Sequence, residues 1–178
     1  RELAAPEAGG LLDHPKEECG VGGVYTPGGE AGRLAYFGLF ALQHRGQESA
    51  GIASSNGASI NVHAEMGLVT QVFRERDFQA LSGDIAIGHT RYSTTGSSQL
   101  CNAQPLLVEG YHGQLALAHN GNITNARPLK RQLLDQWNCH FTSTTDSEVI
   151  AYLLANAPGH SWEERAFHCM RSLEGAFS

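Results

Sequence analysis

The chain has 178 residues, 41% of them apolar, and a formal net charge of −6. That length suits one domain able to bury roughly 70% of its unfolded surface, and an acidic balance with no basic run argues against nucleic acid or an anionic membrane as the main partner. No apolar run approaches the ~18 residues of a membrane span, and Cys19, Cys101, Cys139 and Cys169 form no C-x-x-C pair, which favours free thiols in a reducing compartment over a structural metal or a disulfide framework.

Residues 1–18 read as a polar, Pro- and Gly-containing leader, without the apolar core of a signal peptide and too acidic for a typical transit peptide. E-C-G-V-G-G-V-Y (18–25) predicts a strand over 20–25 directly behind Cys19, and T-P-G-G-E predicts a turn. Leu34, Phe37, Phe40, Ala41 and Leu42 recur at helical spacing between Arg33 and His44, with Gly46 as the stop. Strands are predicted near 50–54 and 59–64, with S-N-G (55–57) as their hairpin turn, then a short helix over 74–81 closed by Gly83. I-A-I-G-H (85–89), L-L-V (106–108) and L-A-L-A-H (115–119) read as further strands. Asn125 is placed to cap a helix over 126–137, with Pro128 in its first turn and Leu129, Leu133, Leu134 and Trp137 on one face. Thr145-x-x-Glu148 and Ser161-x-x-Glu164 read as capping boxes for helices over 147–156 and 162–173. The final G-A-F-S reads as the opening of another strand, so the domain is expected to be incomplete at its C-terminus. Strands and helices come in clusters without βαβ alternation, which predicts an α+β fold with largely antiparallel sheets.

Four polar stretches stand where chemistry can be placed beside these elements: Q-H-R-G-Q-E-S-A-G (43–51), G-H-T-R-Y-S-T-T-G (88–96), A-H-N-G-N (118–122) and T-S-T-T-D-S-E (142–148). With Cys19 they supply a nucleophile, a cation, oxyanion donors and an anion, an inventory suited to an amino-acid substrate with a reactive acyl group. Each member also has a plainer role: Cys19 as a buried thiol, Arg91 as an ion-pairing arginine, Asn120-Gly121 as a turn, Asp146 as a helix N-cap. In the functional alternative Arg91 is a bidentate clamp on an α-carboxylate and Asp146 holds an α-ammonium. Asn120 and Gly121 would then form an oxyanion hole. His44, His89 and His119 are expected to be hydrogen-bonded structural histidines.

The segments E-C-G-V (18–21), L-Q-H-R-G-Q-E-S-A-G-I (42–52), G-H-T-R-Y-S-T-T-G (88–96) and A-H-N-G-N-I-T-N-A (118–126), in this order, closely resemble the glutamine-hydrolysing domain of the amidophosphoribosyltransferase family, in the class II glutamine amidotransferases. The resemblance runs from about Glu18 to the end of the chain. It implies a four-layer αββα sandwich of the N-terminal-nucleophile hydrolase type over 19–178, behind a propeptide at 1–18. Residue by residue it implies Cys19 as nucleophile, Asn120 and Gly121 as oxyanion hole, Arg91 as carboxylate clamp and Asp146 as ammonium partner. Thr94 falls at a substrate-contacting loop position, Arg45 in a loop bordering the pocket, and Tyr92 at a loop tyrosine associated with coupling to a second active site.

The implied activity is release of ammonia from glutamine through a glutamyl thioester, feeding phosphoribosylamine formation at the first step of purine biosynthesis. Hexosamine-forming and glutamate-synthase glutaminases are the same-class alternatives, and a non-catalytic glutamine-binding module is another. The H-R-G-Q and T-R-Y wording favours the purine family. Gly23 departs from the larger residue that relatives carry there. No V-D-D-S-I-V-R-G-T-T-like loop for phosphoribosyl diphosphate occurs in the sequence. The phosphoribosyltransferase partner domain, the magnesium used with that substrate, and the iron–sulfur cluster of some relatives are therefore expected outside this chain, which itself needs no cofactor. A homo-oligomer and a cytoplasmic or plastid setting complete the expectation.

Overall fold

A computed structural model of the chain describes residues 19–92 and 99–178; the leader expected at 1–18 and the loop position Thr94 lie outside them. The first half builds one four-stranded antiparallel sheet from β1 (Gly20–Tyr25), β2 (Ser49–Ser55), β3 (Ile60–Met66) and β4 (Ile85–Arg91), in the order β1-β4-β2-β3. β2 and β3 form the hairpin predicted around 55–57, while β4 runs two residues past the predicted strand end at His89 and so reaches Arg91.

Helix α1 (Ala31–Ala41) packs on this sheet, with α2 (Val69–Val72) and α3 (Asp77–Ala80) as single turns. Ala31, Ala35, Leu39, Ile52, Val72 and Leu81 are among the residues closing the core between α1, α2 and the sheet. The face of α1 differs from the expectation. Small residues, Ala31, Gly32 and Ala35, meet the sheet together with Leu39, whereas Leu34, Phe37 and Phe40 are 47%, 59% and 55% exposed. Backbone approach decides this: a Cβ on Gly32 would collide with the Leu81 carbonyl. The predicted helix over 74–81 is shorter, only α3, and α2 precedes it unforeseen, because four-residue helices carry too little periodicity to read.

The second half carries β5 (Leu106–Gly110) paired with β6 (Gly113–Leu117), and β7 (Gly121–Ile123) paired with β8 (Gly175–Phe177). Around them lie α4 (Ala126–Trp137), α5 (Asp146–Asn156) and α6 (Trp162–Ser172). Val108, Leu115, Ile123, Leu133, Val149 and Ala151 anchor a second core in which α5 covers β5 and β6. The order is helices, sheet, sheet, helices: an α+β αββα sandwich of the N-terminal-nucleophile type.

Three local expectations are corrected. On α4, Leu129 and Leu133 are buried but Leu134 and Trp137 face outward. Asn125 precedes α4 without capping it. Its side chain clamps the far end of α6, donating to Ser172 O at 2.8 Å and accepting from Glu174 N at 3.1 Å. Thr145 precedes α5 without a side-chain cap bond, whereas Ser161 does cap α6, accepting from Glu164 N at 3.3 Å. Among the described residues no helix is long and apolar enough to cross a membrane.

Candidate active site

Cys19 stands one residue before β1, at the end where β1 and β4 finish pairing. Gly20 faces Thr90 in that ladder, so Cys19 and Arg91 occupy its next step. The thiol is partly accessible, and Sγ lies 3.5 Å from both the backbone N and O of Tyr92. Glycine after the thiol is a packing requirement, since a Cβ at Gly20 would meet the Thr90 hydroxyl and Leu42. Cys139 and Cys169 are buried instead. Burial raises Cys139 and pushes Cys169 up to about 11, which keeps both protonated. All four cysteines are free.

Arg91 ends β4 with only 8% of its surface exposed. Its Nη1 donates to Asn102 O at 3.0 Å, and Nε lies 3.9 Å from Glu48 Oε1. Asn102 passes this order on: its Oδ1 accepts from Thr144 N at 3.0 Å, and its Nδ2 donates to Thr144 Oγ1 at 3.0 Å. The 142–145 loop is held again by buried Glu148. That carboxylate accepts from Thr142 N at 2.8 Å, Thr142 Oγ1 at 3.1 Å, and Ser143 N and Oγ at 2.7 Å each. The predicted box around Thr145 thus gives way to a longer loop wrapped on one carboxylate.

Asn120 and Gly121 do not form a hairpin turn; they open β7. Asn120 exchanges both backbone bonds with Ser178, N to O at 3.0 Å and O from N at 2.8 Å. Gly121, opposite Phe177, is therefore at a non-hydrogen-bonded step, and its N–H turns away from β8. Ile123 occupies the next such step, and its N–H does turn away, donating to Asp146 Oδ2 at 2.8 Å. Gly121 has φ +141°, and a Cβ there would strike Ala176 O and Phe177 Cα, so only glycine fits. The Asn120 amide donates to Cys19 O at 3.0 Å, which brings the second half onto the thiol residue. One of its two amide hydrogens is used in that bond. Asp146 is the first residue of α5, inside the helix rather than at its cap.

Cys19, Arg91, Asn120, Gly121 and Asp146 line one open cleft of about 1620 Å³. Arg45 does not line it; it sits half-buried on the short 3-10 turn Gln43–Arg45. The histidine expectation holds in two of three cases. His44 Nδ1 lies 3.0 Å from Ala41 O, and His119 Nδ1 lies 2.9 Å from Ser147 Oγ. His89 is fully buried with no ring hydrogen bond to any described residue, although the His119 backbone lies near enough to favour its charged form. Burial dominates, with Arg91 and His119 adding repulsion, and lowers its pKa to about 4. Burial likewise lowers His119, against an opposing pull from Asp146.

The sequence reading missed Asn102, Gln104 and Ser147, which line the same cleft and bond its walls together. It also missed Arg127 and Lys130, cations on α4 at the cleft. Lone Asn, Gln and Ser residues carry no spacing signal; the A-R-P-L-K-R run was the only hint of the cations. Among the described residues no group of three His, Cys, Asp or Glu side chains gathers to hold a metal ion.

The family model described as a glutamine amidotransferase domain matches residues 89–178. The amidophosphoribosyltransferase of Synechococcus elongatus is 53% identical over 168 residues, covering 93% of this chain and 34% of its own length. That of Archaeoglobus fulgidus is 54% identical over 138 residues, covering 77% of this chain and 30% of its own. Among solved structures, a glutamine phosphoribosylpyrophosphate amidotransferase from B. subtilis, complexed with ADP and GMP, superposes with a TM-score of 0.75 at 38% identity. It covers 90% of this chain and 34% of its own. The chain thus spans about a third of the length of the relatives it matches.

Proposed function

The chain belongs to the glutamine amidotransferase domain family, and from that premise we propose that it hydrolyses the side-chain amide of glutamine at Cys19. The observation that carries this reading is the bond from Asn120 Nδ2 to Cys19 O at 3.0 Å. It joins a nucleophile from the first half to an oxyanion donor from the second, in the cleft that Arg91 and Asp146 also line. Arg91 takes the α-carboxylate of glutamine and Asp146 its α-ammonium. The Cys19 thiol gives up its proton, and the thiolate attacks the amide carbon. The second Asn120 amide hydrogen and the Gly121 N–H stabilise the tetrahedral oxyanion. Collapse with protonation of the leaving nitrogen releases ammonia and leaves a glutamyl thioester. Water adds to the thioester, the sulfur departs as the thiol, and glutamate is released.

The proton acceptor for the thiol is the α-amine of Cys19 itself. A free α-amine has a pKa of about 7.7–8.0, against about 8.5 for a thiol, so the transfer is close to balanced near neutral pH. In the sequence given, Glu18 precedes Cys19 and that nitrogen is an amide. The working form is therefore cut between Glu18 and Cys19. The resemblance assigns Thr94 to a loop that contacts bound glutamine; Arg45, which does not line the cleft, has no contact with glutamine in this reading.

In the whole protein, ammonia passes to a fused phosphoribosyltransferase half and displaces diphosphate from phosphoribosyl diphosphate, giving phosphoribosylamine for purine synthesis. The amidophosphoribosyltransferase relatives support this over the hexosamine-forming and glutamate-synthase alternatives. Magnesium, and any iron–sulfur cluster, belong to that half; the assembly is a cytoplasmic or plastid homo-oligomer. The test is ammonia release from glutamine by the full-length protein, alongside N-terminal sequencing. Active enzyme should begin C-G-V-G-G-V-Y; full activity with Glu18 still attached would sink the amine mechanism, and no ammonia from processed protein would sink the glutaminase reading.

A further inference from the structure

Between the two halves lies a small polar joint that the proposed chemistry does not use. Gln104 is 6% exposed, His119 5% and Ser147 2%. Gln104 Oε1 accepts the backbone N–H of His119 at 2.8 Å, and its Nε2 donates to Ser147 Oγ at 3.1 Å. Ser147 Oγ in turn lies 2.9 Å from His119 Nδ1. The three residues close a ring of hydrogen bonds that holds His119 by both its backbone and its imidazole.

The ring also fixes the direction of the two Gln104 bonds. A backbone N–H can only donate, so the Gln104 oxygen must face it and the Gln104 amide nitrogen must face Ser147. The Ser147 hydroxyl oxygen accepts there, and Ser147 Oγ and His119 Nδ1 share the third bond. Burial favours the neutral imidazole of His119. Gln104 is itself seated on the first sheet: a Cβ on Gly51 of β2 would strike the Gln104 carbonyl, so bare backbone meets bare backbone there. Gln104 thus touches β2, the residue next to Asn120, and the second residue of α5.

Building on the glutaminase reading above, we propose that Gln104 and Ser147 are positioning residues for glutamine hydrolysis, holding Asn120 and Gly121 at Cys19 through their bonds to His119. Asn120 and Gly121 follow His119 directly, so a shift of His119 moves both oxyanion donors relative to the thiol. The joint should then affect the transition state, where negative charge develops, far more than the binding of glutamine. A misplacement on the order of 1 Å costs about 100-fold in rate.

The experiment uses the full-length protein processed to Cys19, with Gln104→Met and Ser147→Ala. Gln104→Met removes two bonds of the ring at similar volume and should lower glutaminase kcat roughly 10- to 100-fold, with KM for glutamine within about threefold. Ser147→Ala, which leaves the Gln104 bond to the His119 backbone, should lower kcat less, by about 3- to 10-fold. Alkylation of Cys19 by iodoacetamide should proceed at the wild-type rate in both, since the thiol itself is not moved. An unchanged kcat, or a loss that falls on KM alone, would overturn the proposal. Should Gln104→Met fail to fold, Ser147→Ala decides by the same criteria. Absence of ammonia release by wild-type protein would overturn the glutaminase reading and this proposal together; wild-type turnover with unaffected variants overturns this proposal alone.

Discussion

In the first half, Cys19 and Arg91 are carried at the end of a continuous four-stranded ladder, whose backbone bonds and tightly packed α1 leave little for side chains to arrange. In the second, Asn120, Gly121 and Asp146 stand on a ribbon of two three-residue strands and at a helix start. There the geometry comes from polar side chains: Asn102 on Thr144, Glu148 on Thr142 and Ser143, Asn125 on the end of α6. One half positions its chemistry by sheet register, the other by a web of side-chain bonds. The contrast implies that single side-chain changes should disturb the second half more than a comparable change disturbs the first.

Asn120→Ala breaks the contact between halves most directly. It removes an oxyanion donor and the bond to Cys19 O, and should lower glutaminase kcat by roughly 100- to 1,000-fold, about 2.7–4 kcal/mol. Steady-state kinetics of the processed full-length protein checks this; a loss confined to KM would mean that Asn120 meets ground-state glutamine only.

Acid should lower the stability of the fold through His89 on β4. His89 has a folded pKa near 4, below its unfolded value near 6.5. As pH falls, the unfolded chain takes up this proton first, so the contribution is complete above pH 6.5 and is lost between 6.5 and about 4. The loss is roughly 2–3 kcal/mol by pH 4.5. His119, also lowered by burial, acts in the same direction. Urea unfolding at pH 7 and 4.5 should show a shallower acid slope for His89→Leu than for wild type; parallel slopes would place the acid sensitivity elsewhere.

Arg91→Ala tests whether the ladder end is a clamp. Losing a charge-assisted partner worth about 1.5–3 kcal/mol should raise the glutamine KM roughly 10- to 150-fold. Arg91→Lys should recover part of this only, because an ammonium cannot grip a carboxylate in a planar fork. A KM left at the wild-type value would make Arg91 a structural tie between Asn102 and Glu48.

Legibility followed the same division. The first-sheet strands could be read because Val, Ile and Ala runs are bounded by glycines and turns, and motif wording located Cys19 and Arg91 at their ends. The helical face of α1 was misread because periodicity favours large apolar residues, while close backbone approach selected Ala31, Gly32 and Ala35 instead. In the second half the polar stretches offered Asn120, Gly121 and Asp146 beside plainer roles and the resemblance chose among them, but neither pointed to what holds them. Asn125 looks like a helix cap in sequence, and only the fold reveals that residues near 172–174 compete for its amide. Gln104 has no local pattern, and Ser147 stands in the polar 142–148 stretch with nothing to mark its role, since they lie 15 and 28 residues from His119, the partner they share.

Asp146→Asn should have the smallest effect on folding and the most informative one on the site. Asp146 Oδ2 accepts from Ile123 N at 2.8 Å, a bond that an Asn oxygen can keep at nearly the same shape. The carboxylate also sits in the first turn of α5, where the helix dipole favours negative charge by about 0.3–1 kcal/mol. Stability should therefore fall by less than about 1 kcal/mol. Glutamine binding should suffer more, since a neutral amide cannot balance the α-ammonium as a carboxylate does, and KM should rise about 10-fold or more. Melting temperature and KM measured on the same preparation separate the two roles. A lowered melting temperature with unchanged KM would leave the Asp146 charge as a contribution to the start of α5 and remove it from the substrate site; a raised KM at nearly constant stability would mean that the anion acts on glutamine, while the Asn oxygen still accepts from Ile123 N.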